Sequence, residues 1–141
     1  MEYEIFLASA FEGCETDGHN YPFYEKLEEK FLENGRRIYL PHKKLISYTK
    51  PNIVANERIR RANLVLSDIG IPSTATGMML RATKEREKPI ILFQDSNDPY
   101  QNDDLKLEGF IKNYELKRLV FEGKEKGLSM IVDAVEDFFM I

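Results

Sequence analysis

The side chains of this 141-residue chain that could do chemistry gather where apolar runs give way to polar segments. Asp68 closes the run Leu64-Val65-Leu66-Ser67, which carries a carboxylate to the end of a buried strand. There it serves either as an acid–base group or as a turn acceptor for nearby backbone N–H groups. Glu57 is the other carboxylate of interest, but Arg58, Arg60 and Arg61 surround it, the pattern of a solvated helix face. Ser9 ends the first apolar run, and Ser73 follows Pro72 at the start of a helix. Both stand where backbone N–H groups can cradle an anion, and Ser73 equally suits helix capping. Gly13 and Gly77 let a ligand approach the backbone closely.

His19 and His42 fall in separate loops after the first and second strands. Without Cys or carboxylate partners at ligand spacing they do not make a metal centre, and no metal or other cofactor is expected. His19 reads as a surface residue, with proton transfer left open. The lone Cys14 cannot form an intramolecular disulfide, has no nucleophile motif around it, and suits a reducing compartment as a solvated thiol.

The elements that must position these groups alternate between β-rich apolar runs and amphipathic stretches, the pattern of a parallel sheet covered on both faces. Strands are expected at 4–8, 38–40, 64–68, 89–93 and 117–121. A first helix starts at Pro22, carries Phe23, Leu27 and Phe31 at four-residue spacing, and is closed by Gly35. Residues 42–52 read as a loop, 53–62 as a helix with Ile53, Ile59 and Ala62 inward, and 76–87 as another helix in which Met78 and Met79 pack with Ala82. Residues 94–104 read as a polar loop and 105–113 as a short helix. The last helix presents Leu128, Ile131, Val132, Val135 and Phe138 on one stripe, and the apolar end Phe138-Phe139-Met140-Ile141 contacts either the core or a partner. The expected architecture is one α/β domain spanning 1–141, a flavodoxin-like, doubly wound, five-stranded parallel sheet in the order 2-1-3-4-5 with helices on both faces. In that topology ligands bind beyond the carboxyl ends of the strands, which is where Ser9 and Asp68 lie.

Composition narrows the partners. Hydrophobic residues make up 43% and charged residues 31% of the chain, ordinary for a globular domain. The formal net charge of −4 and the lack of a basic face argue against nucleic acid and leave room for a small anionic ligand. The acidic start lacks the basic head and apolar run of a signal peptide, and no apolar stretch approaches membrane-spanning length, so a cytoplasmic protein without membrane contact is expected.

Three segments on the ligand edge, in order, are Phe6-Leu7-Ala8-Ser9-Ala10-Phe11, Ala62-Asn63-Leu64-Val65-Leu66-Ser67-Asp68 and Pro72-Ser73-Thr74-Ala75-Thr76-Gly77, with Lys88-Pro89-Ile90-Ile91-Leu92 following. The set resembles the nucleoside 2-deoxyribosyltransferases and, more closely, the 2'-deoxynucleoside 5'-phosphate N-hydrolases. The resemblance implies nucleotide N-glycosidic chemistry, in which one glutamate attacks or stabilises the anomeric carbon while an aspartate helps the base leave. It also implies Ser9 and Ser73 as phosphate or sugar contacts, Phe11 as either a stacking partner for the base or a cover for the sheet, and a homodimer whose neighbouring subunit completes the pocket. By that spacing the glutamate position is Met79 and the aspartate position Ala55, and a shift of one or two residues would give Asn56 or Glu57 instead of Ala55. A thioether and a methyl group can do neither job, although Met79 can line an apolar wall against a base.

Two readings follow for a chain that binds a (deoxy)nucleoside 5'-monophosphate. One is an N-glycosidase or deoxyribosyltransferase working with relocated groups such as Asp68, Glu57 or His19; the other is a catalytically silent nucleotide-binding or sensing module. A TIR-like or receiver-like interaction module is disfavoured, because Ala8-Ser9 offers none of the clustered acids a receiver needs after the first strand and no glutamate falls on the site edge for a TIR-type NADase.

Overall fold

The computed structural model describes residues 4–9, 20–44, 49–70, 74–97 and 116–140. Five strands, β1 (Glu4–Ala8), β2 (Arg37–Tyr39), β3 (Leu64–Asp68), β4 (Ile90–Asp95) and β5 (Leu116–Phe121), form one sheet in the order β2-β1-β3-β4-β5. Every neighbouring pair is parallel. This is the flavodoxin-like, doubly wound order expected from the alternation of elements, and the chain reverses its direction of travel across the sheet between β1 and β3.

Among the described residues five helices connect and cover the strands: α1 (Tyr21–Glu33), α2 (Pro41–Lys44), α3 (Pro51–Arg61), α4 (Thr74–Glu85) and α5 (Lys124–Phe139). Side-chain alternation along the strands sends successive residues to opposite faces. Ile5, Leu7, Leu64, Leu66, Ile91 and Phe93 pack with Phe23, Leu27 and Phe31 of α1 and with Ile131 and Val135 of α5. Phe6, Ala8, Val65, Ile90 and Leu92 pack on the other side with Ala55 and Ile59 of α3 and Met79 and Leu80 of α4. Each face therefore has its own apolar cluster, which is why β1, β3 and β4 read as continuous apolar runs.

Local signals explain the element ends. Pro22 lies in the first turn of α1, where its missing N–H costs nothing. At the other end Gly35 takes φ +76°, its N–H bonds to Leu32 O at 3.0 Å, and Arg36 N–H bonds back to Phe31 O at 2.8 Å. Those paired bonds close the helix as a left-handed glycine cap does.

Four expectations are corrected. Residues 42–52 are not one loop: α2 occupies Pro41–Lys44, and α3 begins at Pro51 rather than at 53. Ile53 is 63% exposed, because α3 turns Ala55 and Ile59 to the sheet instead. Met78 is also exposed, leaving Met79 to pack. Strand β4 continues through Gln94 and Asp95, both buried, where a polar loop was expected. The helix expected at 105–113 lies outside the described residues. At the chain end Phe138 and Phe139 pack against the α1 and α5 cluster, while Met140 is 79% exposed. Among the described residues no helix is long and apolar enough to cross a membrane.

Candidate functional site

The carboxyl ends of β2, β1 and β3 are neighbours in the sheet, and the chain sets His42 just beyond β2, Ser9 just beyond β1 and Asp68 at the end of β3. Alternation puts Ser9 on the same face as Ile5 and Leu7, the face covered by α1. Asp68 is 2% exposed and belongs to that face too, because its partners come from α1 and the residue before it. Its Oδ2 accepts from Tyr24 Oη at 2.6 Å and from Asn20 Nδ2 at 2.8 Å, and its Oδ1 accepts from Gly70 N at 2.9 Å. A buried charge is tolerated only when its lone pairs are used, and three donors on two oxygens meet that requirement. Asn20, the residue before α1, forms no side-chain cap on its own helix and gives its amide to Asp68 instead.

Ser9 is fully buried, and its Oγ has no hydrogen-bond partner among the described residues. His42 is buried with its ring stacked on Tyr21, centroids 4.1 Å apart and planes 9° apart, and 6.0 Å from the Tyr24 centroid. Its Nε2 lies 3.5 Å from Glu25 Oε1, while Nδ1 is buried and unpartnered among the described residues. Burial pushes the His42 imidazolium below its ordinary titration range, against the opposing pull of Glu25. The carboxyl ends of β1 and β2 thus hold two buried polar atoms, Ser9 Oγ and His42 Nδ1, without a partner among the described residues, and the end of β3 holds a carboxylate that accepts from three donors.

Asp68 and Ser9 come together, and of the other expected residues Glu57, Ala55 and Met79 do not join them. Glu57 is exposed on α3 and paired with Arg60 one turn on, which holds its carboxyl below the usual range. Ala55 and Met79 are 4% and 5% exposed within the apolar cluster on the opposite face of the sheet from Asp68. Gly77 sits in α4 with open space where a Cβ would be. Phe11, Gly13, Cys14, His19 and Ser73 lie outside the described residues. The sequence reading missed Asn20 and Tyr24, although their four-residue spacing across the start of a helix puts both on one face. It also left His42 in a loop, whereas Pro41 starts a helical turn that buries it.

Two other features of the structure are separate from this row. At the end of β4, Asp95 Oδ1 accepts from Asn97 N at 2.9 Å and Gly123 N at 3.1 Å, and Lys124 Nζ lies 2.8 Å from Oδ2. Burial opposes the charge, but these donors hold Asp95 below the usual carboxylate range, and the network ties β4 to the start of α5. A groove of about 450 Å³ follows the unpaired edge of β2, with Glu4, Arg37, Tyr39 and Arg58 in its lining. Its lining runs from Glu4 and Arg37, the first residues of their strands, to Tyr39 at the end of β2 and Lys44 of α2, and it includes neither Ser9 nor Asp68. Among the described residues no three metal-ligating side chains gather.

The fold is a doubly wound α/β domain with Ser9 and Asp68 at the point where strand order reverses. No family model matches the chain, and no curated protein matches it by sequence. Solved structures do match its fold. The CMP N-glycosidase BcmB of Clostridium botulinum superposes with a TM-score of 0.70 at 16% identity, covering 91% of this chain and 96% of that one. A 2-deoxyribosyltransferase from Bacillus psychrosaccharolyticus gives 0.62 at 19% identity, covering 89% and 90%. A conserved protein from Enterococcus faecalis V583 gives 0.62 at 13% identity, covering 92% and 96%. The chain shares its fold with nucleotide N-glycosidases and deoxyribosyltransferases.

Proposed function

We propose that this chain binds a nucleoside 5'-monophosphate beyond the ends of β1 and β3 and cleaves or transfers its N-glycosidic bond, with Asp68 as the carboxylate beside the sugar. The observation that carries the reading is the placement of Asp68, buried and aimed by three donors, next to the Ser9 hydroxyl, which has no partner among the described residues, at the switch point. A fixed carboxylate there can stabilise the positive character that builds on the anomeric carbon as the C1'–N bond breaks. In hydrolysis a water oxygen takes the place of the base on C1', and the water proton leaves with the base. The reading also carries a small-molecule nucleoside or nucleotide as partner, and a cytoplasmic homodimer.

A second reading, a silent nucleotide-binding module, is favoured by one specific observation. The positions that the resemblance assigns to carboxylates, Met79 and Ala55, are buried together in apolar packing, and the oxygens of Asp68 already serve three donors. One experiment separates the two. The protein is incubated with a panel of ribo- and deoxyribonucleosides and their monophosphates, with melting shifts recorded and free base measured by chromatography. Base release that disappears in Asp68→Asn supports the enzyme. A melting shift of several degrees without base supports the binder, and neither response to any compound refutes both.

A further inference from the structure

The groove of about 450 Å³ along β2 has no part in the proposed function, yet its lining is sorted by type. β2 is the last strand on its side of the sheet, and among the described residues nothing pairs with its outer edge. Such an edge leaves backbone N–H and C=O groups open to another strand. Alternation sorts the side chains beside it. Ile38 packs in the cluster under α1, so its face of the groove continues to Leu32 of α1, an apolar side chain 56% exposed. Tyr39 packs against the cluster under α3, so Arg37, two residues before it, shares that face with Arg58 of α3.

The Arg58 guanidinium lies over the Tyr39 ring, 4.9 Å from its centroid, and Tyr39 is stacked in turn on Phe6, with centroids 5.6 Å apart and planes 11° apart. This column orients the guanidinium without using its N–H groups. Glu4 stands 3.7 Å from Arg58 and 3.9 Å from Arg61, beyond hydrogen-bond distance, and neither arginine has a hydrogen-bonded partner among the described residues. Arg36 and Arg60, by contrast, grip Glu136 and Glu57 with two N–H groups each. Glu28, on the other face, is engaged by Lys43 at 2.8 Å, and exposed Lys44 adds a cation to the lining. The α3 face therefore sets three arginines against the carboxylate of Glu4, in a chain whose net charge is −4. A second copy of this chain would bring the same arginines to the edge and meet like charge. A strand of three residues offers few backbone bonds, so its side chains must select what pairs there. We propose that the β2 edge docks an extended acidic segment of a partner protein, which adds as a strand with acidic side chains toward Arg37, Arg58 and Arg61 and apolar ones toward Leu32. Alternation of acidic and apolar residues is the pattern such a segment carries. The surface includes neither Ser9 nor Asp68, so the inference stands apart from the nucleotide reading.

The test uses the whole chain, uniformly labelled with 15N, and follows backbone amide shifts on titration. The probes are a blocked peptide of alternating glutamate and valine, its lysine and valine counterpart, the acidic peptide methylated at every peptide nitrogen, and oligothymidylate. The acidic peptide should move the amides of Arg37, Ile38 and Tyr39 and leave that of Asp68 in place. The lysine and methylated peptides should bind at least about 10-fold more weakly. Arg58→Gln and Leu32→Ser should each weaken the acidic peptide roughly 3- to 10-fold. Arg60→Gln removes the same charge from the same helix, but Arg60 is held by Glu57 outside the lining, so affinity should change less than about 2-fold. Unmoved β2 amides at millimolar acidic peptide overturn the inference. Equal binding of the lysine peptide or of the methylated peptide does the same, because it removes charge selection or strand pairing. Tighter binding of oligothymidylate at the same amides would make the surface a nucleic-acid contact, and β2 shifts that grow with protein concentration alone would make it a contact between copies; either outcome refutes the acidic segment. Should a variant fail to melt cooperatively, the wild-type shifts with the three peptides decide.

Discussion

Tyr24→Phe removes one oxygen and should reveal how firmly α1 is tied to the carboxyl end of β3. The Tyr24 hydroxyl donates to Asp68 Oδ2 at 2.6 Å, with Tyr24 1% and Asp68 2% exposed, so no solvent stands ready to replace the lost donor. A hydrogen bond to a charged group is worth about 1.5–3 kcal/mol. Phe has no hydroxyl left to desolvate, which returns part of this, and the ring keeps its tilted contacts with Phe23 and His42. The net loss should be about 2 kcal/mol, which for a domain of this length is roughly 6–8 °C in Tm. Urea denaturation followed by circular dichroism measures it, with an unchanged m-value showing that the folded and unfolded surfaces are the same. The decisive version is a double-mutant cycle with Asp68→Asn, where Tyr24→Phe should cost at least about 1 kcal/mol less than in the wild type. The reasoning is refuted if Tyr24→Phe lies within about 0.5 kcal/mol of wild type, or if it costs the same in both backgrounds.

Three further outcomes test other parts of the structure. Gly127 of α5 faces Phe121 so closely that an added Cβ would overlap the ring, itself stacked on Phe93. Gly127→Ala should therefore lose up to about 2 kcal/mol in denaturant titration, an overpacking cost of about 1–3 kcal/mol less the ~1 kcal/mol gained in helix propensity; a gain in stability would show that the ring has room to move. His42 takes up its proton less readily folded than unfolded, so stability should be fully present above about pH 6.5 and fall as pH drops below it, by at most about 1.4 kcal/mol per pH unit. His42→Phe should flatten the curve between pH 6.5 and 5, above the range where the carboxylates of Asp95 and Glu136 titrate, and an unchanged slope would refute the assignment. Met79→Glu places a carboxyl in apolar packing and should lose about 2–4 kcal/mol at pH 7, less at pH 5 where the acid form is uncharged. Wild-type stability at pH 7 would instead show that position 79 opens to solvent at the crevice.

The strands and their order were legible in the sequence because both faces of a parallel sheet are covered and each run is short, apolar and bounded. The row of Ser9 and Asp68 was legible for the same reason, since topology alone carries strand ends to one edge. What surrounds Asp68 was not. Asn20 and Tyr24 lie 48 and 44 positions away in sequence, and nothing in a polar residue before a helix says whether it caps its own turn or reaches across to another element. Strand β4 outran its apolar run because Asp95 finds two backbone N–H groups and Lys124, and a satisfied carboxylate can end a buried strand as an unsatisfied one cannot. Ile53 looked inward by type, but α3 has two deeply buried contacts, Ala55 and Ile59, four residues apart, and that spacing decides which way the helix faces.

The sheet separates two sets of residues that the sequence left side by side. Met79 and Ala55 belong to the cluster under α3 and α4, whereas Ser9, Asp68 and the residues that hold Asp68 belong to the face under α1. A carboxylate working from Asp68 would therefore meet a ligand from the opposite side of the strand ends to one working from position 79. Orientation at the anomeric carbon is what such a carboxylate contributes, so Asp68 is not a simple replacement for an acid at that site. If base is released, its product should carry the stereochemical mark of this difference, because attack and departure on a sugar ring are defined by face. If only binding is seen, the same separation explains why apolar packing at Met79 and Ala55 leaves the Ser9 and Asp68 edge undisturbed: changes on one face of a two-faced sheet reach the other only through the strands between them.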